Sequence, residues 1–238
     1  LNAAEVSQRP SNPIPGLDYA RMDFHRADRH LRLFNVAYYV SFTEEATQAA
    51  ADYGWEPIAW PEPFTIYEVP ESSLVDVATF TPAVWAGEDS FHEAALGWYD
   101  DINGLTRWLA AEGPEEWPRV ESNDREQWER IEGPTGEVSD IVLEDHRISF
   151  STTAVGVPHL IKVSHFPNWT AIGAEGPWRA APSLMLVIPT REDVVLEFRN
   201  TWVESGGMAL TVITVVALAG LAIVARQRRK AAEARAET

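Results

Sequence analysis

The chain has 238 residues, a net charge of −17, ten tryptophans and no cysteine. So acidic a surface repels phosphate backbones, which excludes nucleic acid as a partner and disfavours flat docking on anionic lipid. Without cysteine there is no disulfide, thiolate nucleophile or cysteine-ligated zinc, and a disulfide-free exterior domain fits a bacterium or archaeon better than an animal secretory pathway.

Residues 1–20 are polar and punctuated by proline, as in a linker. Nothing in residues 1–30 resembles a signal peptide, so the chain is expected to be the C-terminal piece of a longer protein with earlier membrane spans. A mature protein left by signal cleavage is the alternative. Residues 21–34 predict a helix and Asn35–Phe42 a strand. Thr43 is an N-cap candidate for a helix over Glu44–Tyr53 that Gly54 stops. Trp55–Trp60 and Phe64–Val69 follow as strands, and Leu74–Trp85 as one more. Ser90 caps a helix through Tyr99, and Asn103–Ala111 reads as a second short helical run. Residues 112–140 are acidic and rich in Gly and Pro, with Trp117, Trp128 and Ile131 as the main core candidates, and read as an exposed loop.

From Ile141 the pattern turns to alternation with a period of two, then Leu184–Ile188 and Val194–Phe198. Closely spaced short strands without a helical pattern predict an antiparallel β-sandwich over 141–204. The expected fold is thus α+β over 21–140, a β-sandwich over 141–204 and one transmembrane helix. Whether the first two are one domain or two is open.

Residues 205–225 carry no charge, and Arg226, Arg228, Arg229 and Lys230 follow. As a helix this stretch rises about 31 Å, matching a bilayer core of about 30 Å. The basic cluster assigns that end to the cytoplasm and residues 1–204 to the exterior, with Trp202 at the headgroup level. A buried core helix is disfavoured by the absence of a polar stripe, and a cleaved sorting tail by the lack of a small-residue site followed by a polar spacer. The tail from Arg226 carries +3, which leaves −20 on the rest.

No zinc spacing joins the six histidines. His159 and His165 fall on one side of a predicted strand and Lys162 on the other, for which surface placement is the simpler account. Among adjacent carboxylates Asp100 and Asp101 stand out, and a solvated helix end explains them. With no phosphate loop, dinucleotide fingerprint or nucleophile elbow, neither catalytic residue, metal nor cofactor is expected. Trp169 and Trp178 flank a Gly-rich turn and are the candidates for stacking on a sugar ring. Asn168-Trp169-Thr170 matches a glycosylation sequon, expected to be a chance match in a bacterial protein.

Residues 156–190 (GVPHLIKVSHFPNWTAIGAEGPWRAAPSLMLVIPT), the following VVLEF and the apolar span resemble the C-terminal exterior region of YfhO-type bacterial multi-pass membrane proteins, which are glycosyltransferase-like; some carry a 6-pyruvoyl-tetrahydropterin-synthase-related label. LFNVAYYVSF and FTIYEVPESSLV resemble earlier strands of that family, whereas Glu112–Asp140 matches none of it. In the motif Pro167 ends a strand, and Gly173 and Gly176 permit a reversal. The resemblance implies a non-catalytic exterior domain and last span of a protein that transfers sugar from a polyprenyl-phosphate carrier to an envelope glycan. Its partners would be the lipid bilayer, upstream transmembrane helices and the glycan. The family's catalytic acid lies in an early loop that this sequence does not contain, so no catalytic residue carries over. The alternative is a single-pass surface protein whose sandwich binds a glycan or a protein.

Overall fold

Asp23 opens helix α1 (Phe24–Leu33) in the computed structural model, which describes residues 5–7, 21–123, 128–132 and 136–236. Its carboxylate accepts from the backbone N–H groups of His25 and Arg26, as an N-cap should. Strand β1 (Tyr38–Ser41), helix α2 (Glu44–Tyr53), β2 (Pro57–Ala59) and β3 (Thr65–Glu68) follow as expected. Thr43 caps α2 through its hydroxyl, and Gly54 ends it at φ 101°, where a side chain would be strained. The three strands form an antiparallel sheet in the order β1-β3-β2. One face packs Tyr39 and Tyr67 against Phe24, Ala27 and Leu31 of α1 and Ala50 of α2.

The single strand predicted over Leu74–Trp85 is two, β4 (Val75–Val77) and β5 (Ala83–Trp85), which lie apart in one sheet. Between them the backbone bonds elsewhere. Thr81 N–H donates to the Glu129 carbonyl and Thr79 accepts from Ile131 N–H, so no continuous ladder runs through. Helix α3 (Phe91–Asp100) starts on a capping box in which Ser90 and Glu93 bond each other's backbone N–H. The helix predicted over 103–111 is instead a 3-10 turn (Ile102–Gly104) followed by strand β6 (Leu109–Ala110). Leu109 and Ala110 are fully buried, and their pairing with β5 outweighs local helix propensity. The acidic stretch contains a short strand, β7 (Arg119–Val120), while Trp117, Trp128 and Ile131 join the core.

Seven strands complete this unit: β8 (Val138–Glu144), β9 (Arg147–Thr152), β10 (His159–Ile161), β11 (Trp169–Ile172), β12 (Ala174–Ala180), β13 (Leu184–Pro189) and β14 (Asp193–Phe198). A seven-stranded sheet runs β4-β10-β13-β12-β6-β5-β7, antiparallel except where β5 pairs with β6 and β7, and a four-stranded one runs β11-β14-β9-β8. The larger sheet takes strands from both sides of position 140, and Leu1–Glu197 forms one compact unit. The architecture is mixed α+β with several antiparallel sheets. Gly173, at φ 81°, makes the reversal between β11 and β12, and a Cβ there would lie 2.4 Å from the Asp193 carbonyl oxygen.

Strand β13 is buried along nearly its whole length, so its alternation serves two surroundings. Leu184 and Leu186, with Leu160 of β10, pack into the cluster around Trp98, Trp108 and Leu109. In register with Val187, His159 stacks its ring on Phe150 of β9 at 5.7 Å between centroids. Its Nε2 lies 2.8 Å from Thr152 Oγ1 and its Nδ1 2.8 Å from the Val157 carbonyl. The surface placement expected for His159 is therefore corrected: both ring nitrogens find partners inside the protein.

Burial lowers the His159 pKa from 6.5, against a smaller upward pull from the Val157 carbonyl. The unfolded chain thus binds a proton that the folded one excludes. Stability is expected to fall as pH drops through 6.5, and the loss is complete once the folded-state value is passed. Thermal melts of His159→Gln over this range should show a shallower acid-side decline than the parent chain.

The second unit, Phe198–Thr238, contains helix α4 (Trp202–Ala236). Thr201 accepts from Glu204 N–H, while the Glu204 carboxylate accepts from Thr201 N–H, which caps the start. Gly206–Ile223 is long and apolar enough to cross a membrane, with a mean hydropathy of 2.2 and none of it buried. Thr211 and Thr214 donate their hydroxyls to the carbonyls of Gly207 and Leu210, which satisfies them without water.

Candidate functional site

Two cationic side chains, Arg32 and Lys162, and their carboxylate partners meet where the C-terminal half of α1, the segment through β4, the turn after α3 and the end of β10 converge. They line a cleft of about 840 Å³. Asp28 is buried on the inner side of α1 and receives a two-pronged contact from Arg32, at 3.1 Å from Nε and 3.0 Å from Nη2. The i,i+4 spacing on one helix brings these two together. Arg32 also reaches Glu71 through Nη1.

Lys162, just past β10, is the second anchor. Its ammonium is nearly buried, donates to Asp76 Oδ2 at 2.8 Å and caps the carbonyl of Arg32 at 2.8 Å. A cation there adds a second donor to a carbonyl that already accepts from Asn35 N–H, and suits the negative end of the helix dipole. Lys162 therefore holds α1 against the large sheet, contrary to the surface placement expected for it. Burial raises the Tyr53 phenol pKa, and the neighbouring Asp28 charge and hydrogen bond act in the same direction. Tyr53 stands at the rim, 38% exposed. Exposed Arg29, Asn103 and Thr106 complete the polar walls, and Leu33, Leu160 and Trp108 supply an apolar floor.

The aromatic candidates fall elsewhere. Trp169 is only 8% exposed, so its indole presents no open face to a sugar ring. Trp178 is half-buried and meets Trp117 edge to face at 5.3 Å. Four open rings lie on or beside the small sheet, Tyr38, Phe42, Trp60 and Phe64, with Val40 and Ile58 among them, and Phe166 between β10 and β11 is exposed as well. The string YYVS does not tell which tyrosine faces in, because that depends on the α1 and α2 side chains across from it. Asp100 is exposed and pairs with Arg26 at 2.7 Å, and Asp101 accepts from Asn103 N–H, so both serve the end of α3. Trp202, Arg228, Arg229 and Lys230 lie on α4, with side chains outside the described ones, and Arg226 is exposed.

The cleft is not foreshadowed by a motif. The one available signal was a lysine within an apolar run, HLIKV, in a chain whose basic residues are otherwise almost all arginine. No protein-family model, curated protein or solved structure matches the chain.

Proposed function

We propose that this chain is the exterior, C-terminal portion and last span of a multi-pass membrane protein similar to the lipid-linked-sugar transferases of the cell envelope, YfhO-type proteins among them. The observation that carries the reading is α4, whose uncharged Gly206–Ile223 window is wholly exposed and runs into Arg226. An apolar helix left uncovered by its own chain calls for lipid or other spans around it. The basic end then faces the cytoplasm, and residues 1–204 lie outside. In this reading the four-stranded sheet and the centre of the seven-stranded sheet form a β-sandwich, supported by the contacts of His159 with Phe150 and Thr152. The exterior portion carries no catalytic group and guides the acceptor glycan.

A second reading, a single-pass surface protein that binds a protein ligand, draws on the open apolar face of the small sheet around Tyr38, Val40 and Ile58. Deleting these 238 residues from the chromosomal gene and analysing the envelope sugars separates the two. The leading reading expects one sugar decoration to disappear. An unchanged sugar profile would contradict it.

A further inference from the structure

We infer that the cleft beside Lys162 binds a short stretch of a neutral saccharide chain. This deepens the proposed role of guiding an acceptor glycan and rests on that role. The cleft is within the range of about 300–1,000 Å³ typical of small-molecule sites. Its charges decide the ligand class. The lining sets Arg29, Arg32 and Lys162 against Asp28, Glu71 and Asp76, so its charges cancel overall, and two of the three cations are engaged, Arg32 by Asp28 and Glu71 and Lys162 by Asp76, which disfavours an anionic guest. Among the described residues the same pairings leave no bare carboxylate cluster for a metal cation. The polar walls disfavour a wholly apolar guest.

A ligand of dense hydroxyls suits what remains. Side by side, the part-exposed Arg32 guanidinium and the exposed Glu71 carboxylate offer a donor and an acceptor at the spacing of neighbouring groups on a sugar ring, where one hydroxyl accepts and the next donates. The Asp76 side chain is 38% exposed, so part of it still faces the cleft while it binds Lys162. Asn103 and Thr106 add an amide and a hydroxyl from exposed positions on another wall. The half-open ring of Tyr53 supplies an apolar face for the C–H side of a pyranose. An extended peptide would find fewer partners, because it offers a donor and an acceptor only once per residue.

The test uses the full chain in phosphatidylcholine nanodiscs and calorimetric titration with neutral hexasaccharides of glucose, mannose and N-acetylglucosamine, beside inorganic pyrophosphate and tetra-alanine. At least one hexasaccharide is expected to bind, with an affinity that does not change between low and high salt, since no net charge is transferred. The surface variant Asn103→Ala/Thr106→Ala should weaken that binding about tenfold with an unchanged melting temperature. Asp76→Asn, which keeps the volume and removes the charge, should weaken it as well. Binding of pyrophosphate or tetra-alanine in preference to every saccharide, no saccharide binding at all, or full binding by both variants would overturn the inference. The assay reads recognition alone. A saccharide that binds while envelope sugars stay intact after deletion therefore rejects the transferase reading and keeps the site.

Discussion

Replacing Trp98 with alanine is expected to remove about 3–5 kcal/mol of unfolding free energy, a large part of what a domain has to spare. Trp98 lies on α3 and is 1% exposed. Its indole sits in the cluster that joins α3 to β5, β6, β10 and β13, and its Nε1–H donates to the Arg107 carbonyl at 2.7 Å. Truncation opens a cavity and also strips that carbonyl of its donor, a loss of about 1–3 kcal/mol for a buried group. Trp60→Ala is the matched control. This ring is 66% exposed, so its removal should stay within about 0.5 kcal/mol. Chemical unfolding of the full chain in detergent, followed by circular dichroism, measures both. Equal destabilisation by the two variants would mean that the core has been wrongly located.

The double substitution Val216→Arg/Ala219→Arg carries a still larger expected effect. A single arginine at the centre of a spanning helix costs about 2.5–3.5 kcal/mol of apparent insertion energy, so two cost roughly 5–7. Val216 and Ala219 are both exposed along the uncharged window of α4. If lipid covers them, residues 1–238 produced by themselves with the double substitution should leave the membrane fraction under alkaline carbonate extraction, whereas the same residues unsubstituted stay. A helix that merely stood in water would gain solubility from the same change and show no difference in fractionation.

What could be read from the residues is what depends on near neighbours. Thr43 and Gly54 bracket α2 by chemistry that acts within one turn, and Ser90 with Glu93 does the same at the start of α3. The apolar window of α4 is legible for the same reason, because crossing a bilayer needs only length and the absence of charge. The misreadings share a different cause. Leu74–Trp85 splits because the chain between β4 and β5 bonds to residues 129–131, some fifty positions on. Leu109 and Ala110 form a strand because β5 and β12 flank them. The cleft needs α1, β4 and β10 together, with Lys162 reaching the carbonyl of Arg32 from 130 residues away. Alternation sets Lys162 opposite the histidines, but it carries no information on which face is buried when every residue of β10 is covered. The Gly-rich turn beside Trp169 suggests a sugar platform, whereas the ring is only 8% exposed.

These 238 residues contain no cysteine, so within them a single introduced thiol reports sidedness without background. Glu88→Cys, in an exposed loop of the first unit, and Thr238→Cys, at the end of the basic tail, are to be treated with a membrane-impermeant maleimide on intact cells and again after lysis. A span that crosses once with its arginines inward predicts labelling of the Glu88→Cys variant on intact cells and of the Thr238→Cys variant only after lysis. Labelling of the Thr238→Cys variant on intact cells would contradict it.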